Sequence, residues 1–78
     1  MAKIPLVSGR EAVKAFARAG WVWGRTAGSH AILTKPGTRN VLSVPLHGEL
    51  GRGLLRHLIR VAGITVEGFR RLLEGRPP

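Results

Sequence analysis

Cysteine and aspartate are both missing from this 78-residue chain, and glutamate supplies all four of its acidic side chains. Without cysteine there is no disulfide staple, no thiol nucleophile and no thiolate metal ligand. Glu11 is expected in a helix cap and Glu67 in a first helical turn, which leaves no carboxylate pair for two-metal phosphoryl chemistry or glycoside hydrolysis. His30, His47 and His57 do not follow an H-x-x-x-H spacing, so a zinc site has no sequence support, and neither metal nor cofactor is expected. No apolar run approaches the roughly 18 residues that span a bilayer. Met1-Ala2-Lys3-Ile4-Pro5 carries one positive charge but not the apolar stretch and cleavage site of a secretory leader. No membrane association is expected, and the cytoplasm is the expected compartment.

Positive charge is what the chain has in excess. Thirteen lysines and arginines give a net charge of +9, and they run from Lys3 to Arg71 and beyond with no separate basic tail. A positive surface of this kind attracts polyanions and releases counterions as phosphates are neutralised. RNA, DNA or an acidic protein is the expected partner. A membrane-surface protein would concentrate its bases on one amphipathic helix, whereas here they are distributed over several elements. At this length one domain, residues 1–78, and one core are expected.

Ser8-Gly9-Arg10-Glu11 has the S-x-x-E form of a capping box and starts a helix running from about Gly9 to Ala19. Ala12, Ala15, Phe16 and Ala19 mark its apolar side, Arg10, Lys14 and Arg18 form a basic stripe on the other, and Gly20 ends it. Trp21–Arg25 and His30–Thr34 read as two strands of a hairpin interrupted by the turn-like Thr26-Ala27-Gly28-Ser29. Lys35-Pro36-Gly37-Thr38 has the chemistry of a type II turn, and Asn40–Pro45 reads as a third strand. With Leu42, Val44 and Leu46 facing the core, Ser43 and Pro45 point away, as in a sheet covered on one side only. Leu54, Leu55, Leu58, Ile59 and Ala62 define a second helix ended by Gly63, with Arg52, Arg56 and Arg60 on its opposite side. Thr65 is an N-cap with Glu67 in the first turn of a short third helix carrying Val66, Phe69, Leu72 and Leu73. The fold class is α+β: an α-β-β-β-α sandwich, a three-stranded antiparallel sheet with helices on one face and a short extra C-terminal helix.

Histidine acid–base chemistry on a basic surface remains, and it is what a metal-independent ribonuclease requires. The 2′-OH of RNA is a nucleophile already adjacent to phosphorus, so a protein need only move protons and stabilise charge on the phosphorane. His30 is the candidate, although a histidine in a half-exposed strand is also ordinary surface. His47 sits in a Gly-rich connector and is expected to make a structural hydrogen bond. His57 is assigned no role. Trp21 and Trp23 alternate onto one sheet face, where they could stack on bases, with core packing expected for at least one.

Several segments, in order and spacing, resemble the HicA family: Val7-Ser8-Gly9-Arg10-Glu11 with a helix ending in Ala19-Gly20, the Gly28-Ser29-His30 triplet, Val44-Pro45-Leu46-His47-Gly48, Leu50–Arg56, and Ala62–Phe69. The likeness runs from Val7 to Leu73. It implies a fold like the double-stranded-RNA-binding domain and a toxin of a type II toxin–antitoxin pair, which cleaves mRNA until a HicB-like antitoxin binds it. The family's catalytic histidine follows a glycine and a small hydroxyl residue at the start of the second strand, and His30 holds that position. On this resemblance Gly28 permits the tight turn, Ser29 contacts phosphate or orients the site, and His30 is general base or acid. Lys14, Arg18, Arg25, Lys35 and Arg39 are candidate RNA contacts. Ala31 is smaller than the residue many relatives carry there, which bears on substrate contacts. Two other readings use the same features: a noncatalytic RNA-binding module, and a basic surface that only docks an acidic protein.

Overall fold

The computed structural model describes residues 3–78; Met1 and Ala2, which open the stretch considered above as a leader, lie outside the described residues. The elements follow in the order α1 (Gly9–Arg18), β1 (Val22–Ala27), β2 (His30–Thr34), β3 (Leu42–Pro45), α2 (Arg52–Val61) and α3 (Val66–Leu73). The three strands form an antiparallel sheet in the order β1-β2-β3. This is the anticipated α+β arrangement. No helix among the described residues is long and apolar enough to cross a membrane.

Local chemistry accounts for the starts of α1 and α3 and for the hairpin turn. The Glu11 backbone N–H donates to Ser8 Oγ at 3.1 Å and the Ser8 backbone N–H donates to Glu11 Oε1 at 2.8 Å, closing both halves of the capping box. The Gly68 backbone N–H donates to Thr65 Oγ1 at 2.9 Å, capping α3, as a threonine placed before an apolar stripe should. The hairpin turn is shorter than the sequence suggested: Thr26 and Ala27 continue β1, and only Gly28 and Ser29 remain outside the Ala27–His30 pair. Gly28 has φ +60°, the left-handed first position that lets a two-residue turn match the right-handed strand twist. The third strand begins two residues later than read. Asn40 is drawn out of the ladder, its backbone N–H donating to Thr38 Oγ1 and its Nδ2 to the Val61 carbonyl. Gly37 takes φ +91°, as a type II turn requires.

The core lies between the sheet and the helix layer. Ala31 and Leu33 of β2, with Leu42 and Val44 of β3, face it. Against them pack Ala12, Ala15 and Phe16 of α1, Leu55, Leu58 and Ile59 of α2, and Phe69 and Leu72 of α3. Phe16 and Phe69 meet with ring centroids 5.1 Å apart and planes tilted by 45°, a favourable aromatic geometry. Leu46 is half-buried against this core. Leu54 is not: its side chain is exposed, because at the first turn of α2 it falls on the flank of the apolar stripe and not at its centre.

β1 lies at a sheet edge, and all six of its residues are exposed. A register shift between Trp23 and Arg25 makes Gly24 the extra residue of a bulge. The two tryptophans alternate onto the helix side of the sheet, not onto its open face. Trp21 precedes β1 and is buried at 2% exposure, which satisfies the core expectation. Trp23 lies opposite Leu33, on the helix side of the sheet, and its Nε1 donates to Thr26 Oγ1 at 3.0 Å.

Candidate active site on the open sheet face

Residues directly opposite one another in a ladder share a face of the sheet. His30 pairs with Ala27 and Pro45, Ile32 pairs with Arg25 and Ser43, and these rows belong to the face opposite the core. His30 is half-buried there while its neighbour Ala31 is fully buried in the core. The alternation of a strand thus delivers one imidazole to the open face at the mouth of β2. The bulge at Gly24 resets the phase of β1, and with it Arg25 comes to the same face as His30.

The tip that precedes His30 is held from two sides. Gly28 makes the turn, and the Ser29 carbonyl accepts the Leu46 backbone N–H at 2.8 Å. This bond extends the β2–β3 ladder past Pro45 and anchors the turn to the connector. The connector is held in turn against α1: the Gly9 backbone N–H donates to the Gly48 carbonyl at 3.2 Å, and the Leu50 N–H to the Val7 carbonyl at 2.8 Å. The backbone around His30 is therefore fixed by main-chain bonds, which is what positioning a proton-transfer group needs.

The sequence-derived candidates divide into groups. His30, Arg25, Gly28 and Ser29 come together at the hairpin and its open face. Lys14 and Arg18 sit on the side of α1 turned away from the sheet, and Arg18 has a second engagement: its Nη1 donates to the Leu72 carbonyl at 2.6 Å. Lys35 is half-buried, with its side chain alongside Gly20, and Arg39 is exposed in the loop before β3. The acids are largely engaged within the chain. Glu11 caps α1, Glu67 pairs with Arg71 at 3.9 Å and Glu74 with Arg76 at 3.0 Å. His47, expected in a structural hydrogen bond, is exposed and takes part in none of the side-chain hydrogen bonds found among the described residues.

An open cleft of about 360 Å³ lies between the open face and α2. His30 and Ser43 form part of it from the sheet, and Leu54, His57 and Val61 form the α2 wall. The sequence alone assigns His57 no role. It lies three residues after Leu54 and four before Val61, so helical spacing places it beside these apolar residues and off the Arg52-Arg56-Arg60 stripe. That much was visible from periodicity. Which sheet edge this flank would meet was not.

A family model described as HicA toxin of bacterial toxin-antitoxin systems matches residues 9–64. The matched stretch takes in α1, the whole sheet, α2 and the turn at Gly63. No curated protein matches the chain.

Proposed function

The chain belongs to the HicA toxin family, and from that premise we propose that it is a metal-independent endoribonuclease. It cleaves mRNA with His30 as general acid or base and is held in check by a HicB-like antitoxin. The observation that carries the reading is the placement of His30. The His30 imidazole stands half-buried on the sheet face opposite the core, fixed by a two-residue turn and sharing that face with Arg25. RNA carries its own nucleophile, so one positioned histidine for proton transfer and a nearby guanidinium for phosphorane charge form the minimum the chemistry needs. The net charge of +9 supplies attraction for the phosphate backbone. Gly28 and Ser29 shape the tip, and Arg25 is the nearest of the candidate RNA contacts to this face. Lys14, Arg18, Lys35 and Arg39 would bear on RNA only beyond the reacting centre. An acidic antitoxin covering the open sheet face would block substrate and steer its own association.

The test is His30→Ala, assayed in excess EDTA. His30 is not a core residue, so truncation leaves no large cavity and the melting temperature should hardly move. RNA affinity should persist, since it rests on the lysines and arginines. Cleavage should fall on the order of 10²–10⁴-fold, the usual loss for a general acid or base. Wild-type cleavage that vanishes in EDTA and returns with magnesium overturns the metal-independent mechanism. Binding without cleavage by the wild-type chain leaves a noncatalytic RNA-binding module instead.

A further inference from the structure

Two imidazoles face the same cleft, and the reaction proposed above, on which this inference rests, has two protons to move. The cleft is bordered by His30 and Ser43 on the sheet and by His57 on α2. Its other exposed surfaces are apolar. Val41 and Leu54, at 50% and 38% exposure, are among the large apolar side chains this small protein leaves open to solvent, and both line this cleft. None of its lining residues is acidic, so no carboxylate in the cleft locks either imidazole into an ion pair. Arg56 and Arg60 neighbour His57 on α2, and Arg25 shares the sheet face of His30. The volume is at the low end for ligand sites, suited to a nucleotide unit and not to a helix.

We propose that the cleft seats the scissile nucleotide of RNA and that His57 is the second proton-transfer group, acting across the phosphate from His30. The attacking 2′-oxygen and the leaving 5′-oxygen lie roughly in line on opposite sides of phosphorus. One imidazole beside the first cannot reach the second in the same step. One histidine takes the 2′-OH proton as the 2′-O–P bond forms, and the other donates its proton to O5′ as the P–O5′ bond breaks. The products are a 2′,3′-cyclic phosphate and a 5′-hydroxyl. The two imidazoles leave the step with their protonation exchanged, and water restores them, with no further reactant. Val41, Leu54 and Val61 offer an apolar wall to the sugar and base on either side of that phosphate.

The experiment compares the full-length wild type with His57→Ala, His57→Gln and His30→Ala on one RNA oligonucleotide, across pH, beside thermal melts. Affinity is read separately with the same oligonucleotide methylated at every 2′-oxygen, which cannot react. Both His57 variants should melt with the wild type, retain the unreactive RNA, and lose on the order of 10²–10⁴-fold in cleavage. The wild-type rate should show two arms against pH and each His57 variant only one. An RNA with sulfur in place of the leaving O5′ needs no proton on departure, so it should restore cleavage to the variant lacking the acid and not to the one lacking the base. His57 variants that cleave at the wild-type rate while His30→Ala is inactive overturn the pairing and leave the single-histidine reading intact. Slow His57 variants that keep both arms of the pH profile, or sulfur restoring neither histidine variant, also overturn it. Wild-type protein that cleaves no RNA overturns the nuclease reading and this inference with it.

Discussion

A methyl group on Gly9 would place its carbon 1.6 Å from the Pro45 carbonyl oxygen and 2.8 Å from that carbonyl's carbon. Both are backbone atoms, so no side-chain rotation relieves the clash, and α1 or the end of β3 must move. Gly9→Ala should therefore destabilise by about 1–3 kcal/mol or more, where each kcal/mol is roughly 4–8 °C in a domain of this size. Gly24→Ala, with nothing within 4 Å of the added carbon, is the matched control and should melt close to the wild type. The sequence showed Gly9 only as the first residue behind a cap, since its opposing carbonyl is far along the chain. Glu11 was legible in full, because both partners of a capping box lie within four residues. Its carboxylate is held below its ordinary pKa of 4.5 by the hydrogen bonds from the Ser8 backbone and then side chain, with the Lys14 charge adding to them. A lowered folded pKa means stabilisation that is complete above 4.5 and lost as pH falls through the lowered value. The gap in melting temperature between wild type and Glu11→Gln should hold steady near neutrality and close in acid. A gap that widens on acidification contradicts the cap.

Elements set by local chemistry were read with little error, and those set by distant partners were not. α1 and α3 appear where their caps and apolar stripes placed them. α3 has only eight residues, too few to be stable alone, so it depends on its cap and on Phe69 and Leu72 in the core. Thr65→Ala removes the acceptor for the Gly68 N–H and should cost about 1 kcal/mol, read as a lower denaturant midpoint with an unchanged slope. A changed slope would mean that the substitution alters how much of the molecule unfolds, as separate melting of α3 would. The strands were harder to delimit. Nothing local signals that Asn40 will bond to Val61 on α2, or that Gly24 will bulge and turn Arg25 toward His30. The candidate site shares this division: His30 was reached through its own neighbours, and His57 only once α2 was seen against β3.

At the scale of the whole molecule, the relevant property is which of the bases can act on one polyanion together. They are distributed over several elements. Lys14 and Arg18 are on the outer side of α1, Arg25 is on the open sheet face with His30, and Arg76 is paired with Glu74. If RNA crosses the open face, its affinity should fall linearly in log–log form with salt, by about 0.7 per phosphate neutralised on a single strand. Removing a base that contacts phosphate then flattens the slope by about one contact and weakens all sequences alike. Arg25→Ala should do so, and Lys14→Ala should do less, since α1 turns that side chain away from the cleft. Arg76→Ala should leave the slope unchanged, because its charge is already offset by Glu74. The measurement is retention of unreactive RNA over a range of salt for these three variants and the wild type. Equal effects from Arg25→Ala and Arg76→Ala would mean that RNA responds only to total charge and that the open sheet face has no special claim on it. A larger effect from Lys14→Ala than from Arg25→Ala would place the RNA on the helix layer, away from both histidines of the cleft.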